Sequence, residues 1–130
     1  MKYVYPAIFT EENGIYSVLF PDLEGCYTCG DDLKDAMSMA EDVLAFTLYH
    51  YESKGKTIPE PSTMEALKVK SGEFISYVLA DTIEYQKFHN NKAVKKTLSI
   101  PEWLNEMAIA ENLNFSQVLQ TALKEQLHVN

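Results

Sequence analysis

Residues Val94 to Ile100 alternate in a way that few folds can use. Val94, Lys96, Leu98 and Ile100 share one face and Lys95, Thr97 and Ser99 the other, which is the two-residue period of a β-strand. Pro101 then suits the first turn of a helix, where its missing N–H breaks no bond. Leu104, Met107, Ala108 and Glu111 follow at helical spacing, and Asn112 suits a left-handed stop. Asn114 with Gln117 reads as a capping-box pair, opening a second helix with the stripe Val118, Leu119, Ala122, Leu123 and Leu127. One strand and two helices, about 35 residues, cannot enclose a core, and a lone strand is an open edge. Both difficulties vanish if two copies pair their strands antiparallel and pack four helices together. The core of that dimer would be Leu98, Ile100, Leu104, Val118 and Leu119; Trp103 suits packing alongside better than contact with a nucleic-acid sugar-phosphate backbone.

The run Leu98-Ser99-Ile100-Pro101-Glu102-Trp103-Leu104, with a second helix opened by Asn114-Phe115-Ser116, resembles a ribbon-helix-helix DNA-binding domain. The resemblance implies a paired ribbon in the major groove of operator DNA, with Lys95, Thr97 and Ser99 at base edges. It implies phosphate held by the free N–H groups of Phe115 and Ser116 and by the Ser116 hydroxyl, with Lys92 and Lys96 adding backbone contacts. A plainer alternative is a small dimerisation clip.

Charge divides the chain unevenly. Residues 1–88 hold seven lysines and fifteen acids, a net −8, whereas residues 89–130 hold four of each. The acidic part should repel nucleic acid and attract a basic protein, while the positive charge of the tail gathers at Lys92, Lys95 and Lys96 on the proposed DNA strand. No apolar run is long enough to span a membrane. Met1-Lys2 leads straight into strand-like sequence, so no signal peptide is expected. Two cysteines in such a chain point to a reducing cytoplasm and no disulfide framework.

The acidic part reads as a sheet and a helix. Lys2 to Thr10 is a strand rich in Tyr, Val, Ile and Phe. Glu12-Asn13-Gly14 is a type I′ turn signal, Ile15 to Phe20 the returning strand, and Cys26 to Gly30 a third. Asp31 and Asp32 offer an N-cap for a helix from Leu33 to Lys54. Its stripe is Leu33, Ala36, Met37, Ala40, Val43, Leu44, Thr47, Leu48 and Tyr51, and Gly55 stops it. Ile58 to Pro61 is an extended connector. Ser62-Thr63-Met64-Glu65 reads as a capping box for a short helix to about Val69, and Phe74 to Leu79 as a fourth strand. The polar stretch after Asp81 reads as a linker over residues 83–92. The chain thus divides into 1–82, a linker, and 93–130.

The segment Phe20-Pro21-Asp22-Leu23-Glu24-Gly25-Cys26-Tyr27-Thr28-Cys29-Gly30-Asp31, followed by a helix containing Asp35-Ala36, resembles the signature of the HicB antitoxins over residues 3–80. Some HicB proteins carry a C-terminal ribbon-helix-helix domain, so the two resemblances support each other. They imply an α+β chain: a partial ribonuclease-H-like domain, with a three- to four-stranded sheet and a covering helix, followed by a ribbon-helix-helix. They imply a type II antitoxin and autorepressor, not an enzyme and without a cofactor. Its partners would be a small basic RNA-cleaving HicA-like toxin, operator double-stranded DNA, and a second copy through the tail, with further assembly left open.

Two constellations compete with this reading. Asp22, Glu24, Asp31 and Asp32 gather around the third strand, and carboxylates converging on paired metals would make a ribonuclease-H-like nuclease. Asp31 and Asp32 are already explained as helix caps, and Asp22 as a turn residue. Cys26 and Cys29 form a C-x-x-C, but zinc needs four ligands, and in a strand residues three apart face opposite ways. His50, His89 and His128 lack ligand spacing. Tyr3, Tyr5, Tyr16 and Tyr27 suit strand packing better than a base-stacking platform amid so much negative charge. The remaining class is a transcription regulator whose first domain senses a small ligand.

Overall fold

The computed structural model describes residues 1–130, which divide into two compact units, Met1–Lys92 and Ala93–Asn130. The first unit begins with β1 (Lys2–Glu12), β2 (Ile15–Leu19) and β3 (Tyr27–Gly30), then α1 (Leu33–Ser53), β4 (Glu73–Asp81) and α2 (Thr82–His89). The second holds α3 (Glu102–Ala110) and α4 (Phe115–Leu127).

The four strands form one antiparallel sheet in the order β3-β2-β1-β4. Asn13 and Gly14 both take positive φ, 56° and 83°, as the type I′ turn requires. A two-residue turn makes its flanking pair, Glu12 and Ile15, a hydrogen-bonded one. Alternation along an antiparallel ladder then aims the N–H groups of Ile8 and Thr10 at β2 and those of Tyr5, Ala7 and Phe9 at β4. Two bonds at the strand ends fix the same phase: Glu11 N–H reaches Gly72 O on the β4 side, and Thr82 N–H reaches Met1 O. Pro6 therefore lacks its N–H on the side toward β2. The β2 ladder ends at Leu19, opposite Ile8, so the proline sits inside a central strand without breaking a ladder bond.

Tyr5, Ala7 and Phe9 of β1, Val18 of β2, and Val78 and Ala80 of β4 are buried on one face of the sheet. Against them lie Ala36, Ala40, Leu44 and Leu48 of α1, all fully buried, with Met37, Val43 and Tyr51 partly so. The expected stripe is thus the buried one, although Leu33 at its start is exposed. Phe20, Leu23 and Cys26 from the β2–β3 loop close the same core. Asp32 caps α1 by accepting Asp35 N–H at 2.7 Å, and Asp35 in turn accepts Asp31 N–H at 2.9 Å. At the other end Gly55, with φ 64°, forms a Schellman stop, with Gly55 N–H to Glu52 O and Lys56 N–H to Tyr51 O.

Three sequence expectations are corrected. Ser62 and Glu65 form no capping box: Met64–Ala66 is a single 3-10 turn without a side-chain cap. Ser62 instead binds Asp22 through its N–H at 3.0 Å and its hydroxyl, which fastens the connector to the β2–β3 loop. Residues 83–89, expected as linker, belong to α2, so a first unit ending at residue 82 would lose a packed helix. Asp81 caps that helix by accepting Ile83 and Glu84 N–H groups, Thr82 is fully buried, and Tyr85 packs on Tyr49 and Phe46 of α1. Residues 94–100, expected as a strand, form no β-ladder within the chain, because a single strand has no partner to bond.

In the second unit, Asn112 takes φ 56° and ends α3 with a Schellman motif, Asn112 N–H to Ile109 O and Leu113 N–H to Ala108 O. Asn114 caps α4 by accepting Gln117 N–H at 3.1 Å. Pro101 stands one place before the expected position, as the N-cap of α3.

Gly30 is where α1 meets the sheet most closely. A Cβ there would lie 2.4 Å from Ala36 N and 2.5 Å from its Cα, backbone atoms that cannot step aside. Gly30→Ala should therefore destabilise the first unit by about 3 kcal/mol, at the upper end of ordinary overpacking costs. The check is urea denaturation, with a lower midpoint at an unchanged slope.

Candidate functional site

Two surfaces carry the chemistry, one in each unit. In the second, neither α3 nor α4 contains a buried residue. Leu98, Ile100, Leu104, Val118 and Leu119, the proposed dimer core, line one open groove together with Lys96, Phe115 and Ser116. Leu98 is 56% exposed and Val118 53%, so the apolar stripe of this unit is uncovered in the single chain. Lys95, Thr97 and Ser99 are exposed and do not line the groove, whereas Lys96, Leu98 and Ile100 do. That division follows the alternation in the sequence. Lys92 is exposed as well. At the start of α4 the N–H groups of Phe115 and Ser116 have no acceptor in the chain, as the first turn of any helix leaves them, and no acid stands in that turn. Trp103, expected to pack in the dimer, is 63% exposed in the single chain.

The carboxylates of the first unit do not converge. Asp22 holds Ser62, Asp32 caps α1, Asp35 holds Asp31 N–H, and Glu24 is exposed. No group of three His, Cys, Asp or Glu side chains stands where a metal ion could be held. Cys26 and Cys29 point apart: Cys26 is buried, its Sγ accepting from Thr47 Oγ1 at 3.4 Å, and Cys29 is exposed. Burial pushes the Cys26 thiol up, against the small opposing effect of Thr47, so its sulfur is held as an unreactive thiol. His50 lies on Phe46, with ring centres 4.5 Å apart. His89 stacks on Tyr85 at 4.3 Å and stands 3.9 Å from Asp42.

Three of the four early tyrosines are explained by packing. Tyr5 is buried and donates to Pro59 O, and Tyr16 packs edge-on against Phe74. Tyr3 donates to Glu52 Oε2 at 2.7 Å. Tyr27 is 67% exposed and opposes Leu19 on the face of the sheet away from α1. Val4 and Leu79 share that face as an opposed pair, as do Pro6 and Tyr77, and Val4, Leu19, Tyr77 and Leu79 are all exposed. Sequence reasoning missed this face. The alternation of β1 and β4 signals it, since Val4, Ile8, Ile75 and Leu79 stand at positions where a solvated face would carry polar residues.

This geometry defines a two-unit protein: a helix-backed antiparallel sheet, then a helical unit with no core of its own. Residues 5–122 match the family described as HicB-like antitoxin of bacterial toxin-antitoxin systems, and the chain belongs to that family. It is 36% identical over 59 residues to Antitoxin HicB 2 of Photorhabdus laumondii, a match spanning 45% of this chain and 42% of that relative. It is 24% identical over 102 residues to an uncharacterized 14.9 kDa protein of Haemophilus phage HP1, spanning 78% and 75%. Among solved structures, a toxin-antitoxin complex from Streptococcus pneumoniae matches with a TM-score of 0.63 and 29% identity over 97% of this chain and 99% of that one. A HicA3 and HicB3 toxin-antitoxin complex shares the fold at a TM-score of 0.51 and 21% identity, over 61% and 99%. No helix is long and apolar enough to cross a membrane.

The Tyr3–Glu52 contact makes a measurable pH dependence. Burial, then the bond to Glu52 and its charge, push the Tyr3 phenol up from 10.0 to about 12. Below pH 10 both folded and unfolded chains keep the phenol protonated, and the stabilisation is whole. As pH rises from 10 toward 12 the unfolded chain ionises first, so stability falls through that window. Urea midpoints across this range should decline in the wild type and decline less in Tyr3→Phe. Some slope should remain, because burial also raises Tyr5 and Tyr85.

Proposed function

We propose that this chain is the antitoxin of a toxin–antitoxin pair and the repressor of its own operon. The observation that carries the reading is the family match over residues 5–122, which runs through both units. The solved complexes from Streptococcus pneumoniae and of HicA3 with HicB3 support a HicA-like, RNA-cleaving toxin as the partner. Residues 1–92, read as a partial ribonuclease-H-like sheet, bind and mask that toxin. Fifteen acids against seven lysines in residues 1–88 favour encounter with a basic protein, an attraction that salt weakens. Of the carboxylates a nuclease would need, Asp32 caps α1 and Asp22 tethers the connector, while Glu24 and Asp31 are exposed, which supports a binding protein over an enzyme. Both RNA and operator place the work in the cytoplasm. A chain truncated after Lys92 keeps every element packed on the sheet, and should still suppress RNA cleavage by the toxin. Suppression that requires the tail would move the interface out of the first unit.

Residues 93–130 are read as a ribbon-helix-helix. The uncovered groove lined by Leu98, Ile100, Leu104, Val118 and Leu119 fits a second copy, whose residues 94–100 would supply the missing strand partner. Two chains then present six side chains, Lys95, Thr97 and Ser99 from each, on one ribbon for base edges. Phe115 and Ser116 take phosphate at the start of α4, and Lys92 and Lys96 add charge. Thr97→Ala should narrow the difference between operator and random DNA, by about 1–3 kcal/mol for each base-edge interaction it removes. Ser116→Ala should weaken binding to both DNAs alike, because a phosphate contact carries no sequence information. Titrations at one salt concentration separate the two. Wild-type affinities for Thr97→Ala would remove the strand as the reading element.

A further inference from the structure

The outer edge of β4 is open. β1 is its sole ladder partner, and within residues 1–92 no other backbone group bonds to the backbone of residues 74–80; Met64 N–H reaches only the Tyr77 hydroxyl, at 3.3 Å. The phase fixed by the Asn13-Gly14 turn makes Tyr5–Val78 and Ala7–Ser76 hydrogen-bonded pairs. The backbone groups of Ile75, Tyr77 and Leu79, opposite Ile8, Pro6 and Val4, therefore point away from the sheet. Only the Tyr77 carbonyl has a contact, the Ser76 hydroxyl at 3.3 Å. The strand reads Glu-Phe-Ile-Ser-Tyr-Val-Leu-Ala-Asp over nine residues. It lacks the lysine and proline by which exposed edges ordinarily avoid pairing. The side chains of Ile75, Tyr77 and Leu79 lie on the face away from α1, continuous with exposed Val4, Leu19 and Tyr27. An added strand would thus meet backbone donors and an apolar shelf together.

We propose that this edge takes an extended segment of a basic protein partner by strand addition; the inference rests on the antitoxin reading and locates its interface. Charge selects the occupant. A second copy paired along the whole strand, centred on Tyr77, would set Glu73 opposite the partner's Asp81 at both ends, and like charges directly opposite destabilise a ladder. The excess of acids in residues 1–88 adds to the repulsion between copies. A segment with lysine or arginine at its ends meets Glu73 and Asp81 as counter-charges instead.

Amide hydrogen exchange on the full chain tests this, alone at two concentrations and with a catalytically inactive form of the HicA-like toxin as the probe. The amides of Ile75, Tyr77 and Leu79 should exchange fast in the free chain and slow by about tenfold or more on binding, while those of Ser76, Val78 and Ala80 are slow in both. Binding without slowing at the three positions overturns the edge assignment and leaves the antitoxin reading standing. Absence of binding overturns both. Slowing that grows with the chain's own concentration, without toxin, assigns the edge to a second copy and also overturns the proposal. Leu79→Pro removes one outward N–H and leaves the β1 ladder intact, so toxin affinity should fall about tenfold, one hydrogen bond at about 1.4 kcal/mol per decade. Should that variant lose its fold by circular dichroism, the exchange pattern of the wild type still decides.

Discussion

The first unit depends on how closely α1 can lie on the sheet. Ala36 and Ala40 face the strands where larger side chains would hold the helix away, and Gly30 lets the start of the helix touch the end of β3. That approach allows Leu44 and Leu48 to be covered completely by the same sheet that presents Tyr5, Ala7 and Phe9. The aspartates at 32 and 35 fix the direction in which the helix leaves β3. Acids in a stretch that could suggest metal chemistry are in this way the joints of the scaffold, and Asp22 plays the same part for the connector through Ser62.

The second unit follows a different rule. Local signals close α3 at a left-handed Asn112 and open α4 at Asn114, yet no residue in either helix is buried. Local signals suffice to build helices in place, but they do not supply apolar surface to cover a stripe. A unit of this kind is completed by association, which couples its stability to concentration and partner. In the proposed antitoxin this coupling would have a use: the element proposed to read DNA would be complete only when two chains meet, while the sheet proposed to face the toxin is complete in one.

Two open surfaces remain on the first unit, the apolar face away from α1 and the outer edge of β4. A sheet covered by helices on both faces could not present them. Leaving one face bare is a stability liability in an isolated chain, and here the overall acidity of the unit opposes self-association. The same acidity is why a basic partner is the proposed occupant of the β4 edge.

The local code of the chain was legible because it depends on near neighbours. The Asn13-Gly14 turn, the Asp32 cap, the Ala36–Leu48 stripe, Gly55, the Asn112 stop and the Asn114 cap are each written within a few residues, and the antitoxin family could be suspected from the run Phe20 to Asp31. α2 was missed although Asp81 caps it and Thr82, Tyr85 and His89 recur at helical spacing, because its apolar side is thin and its burial comes from α1, far away in sequence. The capping box at Ser62 failed for the same reason: Asp22, distant in sequence, accepts both the Ser62 hydroxyl and its backbone N–H. By itself the sequence determined the local turns, caps and stops and the buried stripe of α1. Only the tertiary structure decided which apolar faces are covered, which carboxylates are tied to the backbone, and that β4 is an edge. Those outcomes depend on contacts between segments tens of residues apart, where strand order and the reach of a single helix settle what is left open.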